Sequence, residues 1–137
     1  MATFTSNSPD ETEAFAREFA RKIDNATVVA LKGELGAGKT QFVKGFVAGL
    51  GSTAEVTSPT FTLIHEYFGS RFPIYHFDFF RIEDRQSAER LGLDEYFFGN
   101  GVSVVEWADK FSELIPANAS WVSFETKSET QRAITTK

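Results

Sequence analysis

Short apolar runs alternate along this chain with stretches in which apolar residues recur every three or four positions. The first periodic stretch follows Ser8-Pro9-Asp10-Glu11, which reads as a helix start. Ser8 serves as N-cap, Pro9 takes the first helical position and Glu11 completes a capping box. Phe15, Phe19 and Ile23 then lie at i, i+4 and i+8, predicting one buried face through about Lys22. Arg17, Glu18, Arg21 and Lys22 form its solvated side. Thr27 to Leu31 is a short run rich in β-branched residues after the turn-like Asp24-Asn25, and it predicts a buried strand. From Thr40 to Leu50 the spacing is helical again, with Phe42, Val43, Phe46, Val47 and Leu50 on one side and Gly51 as a stop.

The remaining segments are shorter. Thr3-Phe4-Thr5 predicts an edge strand. Val56 to Thr60 is a loop, because Pro59 breaks regular structure and hydroxyl side chains surround it. Phe61 to Phe68 and Phe72 to Phe77 read as strands joined by Gly69-Ser70-Arg71, hence an antiparallel hairpin. Asp84 to Leu91 predicts a helix capped by Asp84 and ended by Gly92. Gly101 to Val105 predicts a buried strand ending in Glu106. Ala108 to Leu114 predicts a short helix closed by Pro116, and Trp121 to Glu125 with Arg132 to Thr136 a last hairpin. This order gives an α/β fold: a single phosphate-loop domain over the 137 residues, with a mixed central sheet, a parallel core, antiparallel hairpin additions and flanking helices.

Between the first buried strand and its helix lies Gly33-Glu34-Leu35-Gly36-Ala37-Gly38-Lys39-Thr40, the full pattern G-x-x-x-x-G-K-[ST]. Glycines let the backbone curl so that several N–H groups point at one anion. A helix starting near Gly38 adds the positive end of its dipole. Lys39 reaches the β- and γ-phosphates of a nucleotide, and the Thr40 hydroxyl ligates Mg²⁺. Strand, glycine loop and helix stand in the order this chemistry requires. The candidate nucleotide contacts are therefore Glu34, Leu35, Gly36, Ala37, Gly38, Lys39, Thr40 and Gln41.

Composition narrows the setting. Without cysteine the chain has neither disulfides nor thiolate metal sites, which fits a reducing cytosol and a cytoplasmic protein. No apolar run approaches the roughly 20 residues of a membrane span, and no secretory signal is visible at the start. A formal net charge of −5 argues against a DNA- or RNA-binding groove covering much of the surface.

Hydrolysis needs more than a phosphate loop. It needs an acid for Mg²⁺ and a group to orient the attacking water. In open α/β sheets these sit at the carboxyl ends of central strands. Asp78 ends Ile74-Tyr75-His76-Phe77, and Glu106 ends Val102-Ser103-Val104-Val105. Each could instead be a strand-end carboxylate turned to solvent. The cleaner strand before Glu106 favours it for the metal. His65 and His76 lie on paired strands, and a satisfied structural role is the simpler reading for both. Arg85 and Arg90 read as the polar face of their helix, with Arg81 kept apart as a phosphate-facing candidate.

The phosphate loop, Thr57-Ser58-Pro59-Thr60-Phe61-Thr62-Leu63, Tyr75-His76-Phe77-Asp78-Phe79-Phe80-Arg81 and Val105-Glu106-Trp107 occur in this order. In that combination the chain resembles the bacterial tRNA threonylcarbamoyladenosine biosynthesis ATPase family (TsaE, formerly YjeE). The resemblance covers nearly the whole chain; Phe80 departs from the more common Tyr, and the tail after Arg132 is short. It implies a cytoplasmic, weak ATPase that binds ATP or ADP with Mg²⁺ and serves N6-threonylcarbamoyl modification of tRNA adenosine. It implies partners: the transferase subunit and its pseudo-paralogue, with tRNA met only through that complex. Residue by residue, it gives Lys39 and Thr40 to phosphate and metal, Glu106 to metal, and Asp78 an essential place near the γ-phosphate. Ser58-Pro59-Thr60 becomes a nucleotide-sensing switch, Trp107 a neighbour of the site, and Glu11 and Arg132 further nucleotide contacts.

A GTPase reading fails, because neither D-x-x-G after the hairpin nor [NT]-K-x-D occurs. A small phosphate-loop kinase and a nucleotide-gated interaction module with little turnover remain as alternatives.

Overall fold

A computed structural model of the chain describes residues 2–34, 36–57 and 63–137. Its centre is a seven-stranded sheet of β1 (Ala2–Ser6), β2 (Val28–Gly33), β3 (Ile64–Phe68), β4 (Pro73–Asp78), β5 (Val102–Glu106), β6 (Ser120–Thr126) and β7 (Arg132–Thr136), in the order β1-β7-β6-β2-β5-β4-β3. The pairs β6–β2, β2–β5 and β5–β4 are parallel, whereas β1–β7, β7–β6 and β4–β3 are antiparallel. The predicted parallel core and antiparallel additions are therefore both present. The final hairpin is more than an appendage, since its strand β6 lies directly beside the phosphate-loop strand β2.

Strand alternation sorts the core into two layers. On β2, Val29 and Leu31 face one side, and Val28 and Ala30 the other. The first side is covered by α1 (Pro9–Ala20) and α2 (Lys39–Gly49). The second is covered by α3 (Arg85–Glu89), α4 (Leu93–Phe97) and a 3-10 segment, Ala108–Leu114, kinked at Phe111. Gly92, expected to end a helix, instead caps the start of α4 in a left-handed conformation at φ 71°.

The buried face of α1 differs from the aromatic stripe that its periodicity predicts. Thr12, Ala16 and Ala20 point fully inward, while Phe15 and Phe19 pack at the margin. The reason lies in α2, whose Gly45 and Gly49 sit under α1. A Cβ on Gly45 would run into the Glu13 carbonyl, and one on Gly49 would lie 2.7 Å from the Arg17 carbonyl. Two helices this close leave room for methyls and hydrogens only. The phenylalanines fill the flank instead: Phe4 stacks on Phe15 at 4.7 Å, and Phe42 meets Phe19 and Phe124 edge-on, each at 5.6 Å. At the start of α1, Ser8 caps Glu11 N at 3.1 Å, but the Glu11 carboxylate reaches back to Asn7 N rather than to the cap residue itself.

Candidate functional site

The carboxyl ends of the parallel strands converge on the start of α2. Gly38, left-handed at φ 100°, ends the glycine loop and caps that helix, a conformation a side chain would strain. Lys39, only 5% exposed, folds back over the loop that precedes it. Its Nζ donates to the carbonyls of Gly33 at 2.5 Å and Glu34 at 2.8 Å, and lies 4.0 Å from the centre of the Trp107 ring. Burial pushes its pKa below the ordinary lysine value, and the carboxylates of Glu106, Asp109, Asp78 and Glu34 act against that. The ammonium is thus held at the cleft floor by dipoles, an aromatic face and surrounding negative charge.

Thr40, one residue on, faces β5. Its hydroxyl donates to Glu106 Oε1 at 3.0 Å. Glu106 is buried at the strand end, 3% exposed, and its second oxygen meets His76 Nε2 at 2.6 Å. Asp78 is the register partner of Glu106 on the neighbouring parallel strand, so the two predicted acids stand side by side. Period-two alternation turns both toward the α2 side, together with His76. Asp78 Oδ1 accepts from the Phe80 backbone N–H at 2.9 Å, which shapes the turn after β4.

Lys39, Thr40, Asp78 and Glu106 line a cleft of about 400 Å³ with Gly36, Gly38, Gln41, Phe80, Arg81 and Trp107. Trp107 follows Glu106 in a left-handed conformation at φ 58°, uncommon for an aromatic residue and costly unless its surroundings enforce it. The Phe80 ring lies 4.9 Å from the indole, and its carbonyl accepts from Lys110 Nζ at 2.8 Å. Arg81 lines the cleft, whereas Arg85 pairs with Glu89 at 2.7 Å on the helix surface.

A second, smaller cleft of about 270 Å³ adjoins the other flank of the glycine loop. Asn7, Ser8, Thr12, Gly36, Gln41, Thr130 and Arg132 contribute to its lining. Arg132 donates to the Gly36 carbonyl at 3.2 Å, so a residue far along the chain does lie against the loop. Glu11 does not line either cleft; its carboxylate is taken up by Asn7. Leu35 and the expected switch Ser58-Pro59-Thr60 lie outside the described residues. Asn7 and Thr130 have no motif to announce them in the sequence. Alternation along β4 does put His76 and Asp78 on one face, but the contact of His76 with Glu106 needs the pairing of β4 with β5.

Among the described residues no group of three or more His, Cys, Asp or Glu side chains forms a metal cage, and no helix is long and apolar enough to cross a membrane. The fold has a close counterpart: the crystal structure of YdiB from Bacillus subtilis matches with a TM-score of 0.84 and 38% identity, covering 98% of this chain and 83% of that one. A tRNA threonylcarbamoyladenosine biosynthesis protein TsaE from Bacillus subtilis (strain 168) is 46% identical over 128 residues, 93% of this chain and 80% of the relative. The protein of that name from Treponema pallidum (strain Nichols) is 37% identical over 130 residues, 95% of this chain and 96% of the relative. A family model described as threonylcarbamoyl adenosine biosynthesis protein TsaE matches residues 6–134. Its match spans the loop, both acids and the flanking strands, and the chain belongs to the TsaE family.

Proposed function

We propose that this protein hydrolyses ATP with Mg²⁺ and in doing so serves the complex that makes threonylcarbamoyladenosine in tRNA. The observation that carries the chemistry is the contact between Thr40 and Glu106 at the mouth of the glycine loop. Their oxygens are 3.0 Å apart. Two adjacent ligands of an octahedral Mg²⁺, with bonds of 2.0–2.1 Å, stand about 3 Å from each other, so the pair fits one edge of such an ion. Two protein oxygens leave the remaining positions to water and phosphate, as expected of a metal that arrives with a nucleotide. When bound, the ion neutralises charge on the β- and γ-phosphate oxygens.

The chain's own groups do the rest. Backbone N–H groups of residues 36–40 and the start of α2 cradle the phosphates. Lys39 exchanges its two carbonyl partners for phosphate oxygens and lends a point charge. Asp78, beside Glu106 and facing the cleft, orients the attacking water and accepts its proton as the bond between the γ-phosphorus and the bridging oxygen breaks. Arg132 and Gln41 hold the rest of the nucleotide in the adjoining cleft. The transferase subunit and its pseudo-paralogue are the partners in this reading, and tRNA is met through them.

Phosphate release from ATP tests it, measured with and without Mg²⁺ and with and without the transferase heterodimer. Slow magnesium-dependent release that the heterodimer stimulates is the expected result. Release only when a small phosphoryl acceptor is added would instead make the protein a kinase.

A further inference from the structure

Glu106 is held from both sides. One oxygen accepts from Thr40, and the other, at 2.6 Å, from His76 Nε2. A carboxylate only accepts, so the hydrogen of that bond sits on Nε2. The His76 ring is fully buried, and its Nδ1 lies 3.4 Å from the Tyr67 hydroxyl. Tyr67, on β3, also lies 3.2 Å from His65 Nδ1. A chain of polar contacts therefore runs Tyr67, His76, Glu106, Thr40. It runs from β3 across β4 and β5 to the start of α2.

Nothing in the folding of β4 requires a histidine here. Ile74, two residues earlier on the same face, packs as an ordinary core residue, and His76 is the register partner of Val104. A purely apolar residue would fill the position. It would also leave Glu106 Oε2 buried without a donor, and a glutamate has three side-chain torsions through which to escape. The carboxylate would then turn, and the Oε1 oxygen would leave Thr40.

We infer that His76 is a positioning residue for the metal site: it fixes Glu106 with one oxygen turned to Thr40, and Tyr67 steadies the far side of the His76 ring. The inference rests on the reading of Thr40 and Glu106 as the magnesium pair. Such outer partners of metal ligands typically change metal affinity by about 10- to 100-fold when removed.

Mn²⁺ binding to the protein–ADP complex, followed by electron paramagnetic resonance, reads this directly without turnover. Metal-free ADP binding is measured in parallel by calorimetry. His76→Asn, whose amide is too short to reach Glu106, should weaken Mn²⁺ binding about 10- to 100-fold while metal-free ADP affinity stays within about twofold. His76→Gln places an amide nitrogen where Nε2 sits and should restore most of the loss. Tyr67→Phe should give a smaller loss in the same direction. Wild-type Mn²⁺ affinity in His76→Asn overturns the inference, as does a parallel loss of metal-free ADP binding or a failure of His76→Gln to rescue. An unchanged Tyr67→Phe overturns the part given to Tyr67. If the His76 variants do not fold, imidazole nitrogen resonances of the wild-type protein decide. A protonated Nε2 whose signal moves on Mn²⁺-free Mg²⁺·ADP addition supports the assignment, and a static or unprotonated Nε2 refutes it. Wild-type protein that takes up no metal with nucleotide overturns both this inference and the proposed function; wild-type binding with an unaffected His76→Asn overturns this inference alone.

Discussion

The cleft has two unlike walls. On the inner wall, Lys39 and Glu106 are buried and Thr40 is half-buried, and each polar head has protein partners within 3.0 Å. On the outer wall, Asp78, Phe80 and Arg81 face the opening, and Phe80 keeps 43% of its surface exposed. The difference follows from the cost of burying a polar group without a partner, about 1–3 kcal/mol, which forces complete pairing inside and relaxes that demand toward the opening. The inner wall is fully paired before anything binds. The outer wall is open to solvent and carries an exposed ring at the mouth.

That division is open to attack residue by residue. The largest effect falls on turnover. Asp78→Asn should lower phosphate release by about 10²- to 10⁴-fold, the range for losing a proton acceptor, with nucleotide affinity close to wild type. Equal losses in both would erase the distinction between the walls. Next comes Lys39→Ala, which removes a charge-assisted contact of about 3 kcal/mol and should weaken ATP binding roughly 100-fold in calorimetry. Unchanged affinity would take Lys39 out of the phosphate site. Gly45→Ala acts from behind the inner wall. It pries α2 from α1, should cost about 1–3 kcal/mol, and lowers the melting temperature by several degrees in thermal unfolding. A melting temperature equal to wild type would show that the helix pair has slack. The smallest effect belongs to Phe80→Ala, expected within about 0.5 kcal/mol of wild-type stability, with unaltered ATP affinity. A marked loss of either would move Phe80 to the inner wall.

The sequence disclosed these walls unevenly. The strand–loop–helix at β2 and α2 was legible because its signals are local: a β-branched run, fixed glycines, then helical spacing. Asp78 and Glu106 were legible as strand-end acids for the same reason. Their adjacency was not, since it depends on parallel pairing of β4 with β5, which no short-range pattern encodes. Phe15, Phe19 and Ile23 do pack on the core, but the inner stripe of α1 is less legible, because Ala16 and Ala20 give a weaker hydrophobic signal than the phenylalanines. What decides there is the fit to Gly45 and Gly49 on another helix. Arg132 lies against the Gly36 carbonyl only because β7 pairs with β6 and β6 with β2, two long-range steps that no motif records.

The seating of Lys39 over Trp107 has an optical consequence. An indole's emission responds to a charge near its ring, and this ring has an ammonium 4.0 Å from its centre. The chain's other tryptophan, Trp121, has Lys32 at 5.8 Å and lines neither cleft beside the glycine loop. Any ligand that draws Lys39 away changes the surroundings of one fluorophore and leaves the second as an internal reference. Occupancy of the glycine loop should therefore be readable in the unlabelled protein, as a change in emission that Trp107→Phe abolishes and Trp121→Phe leaves intact.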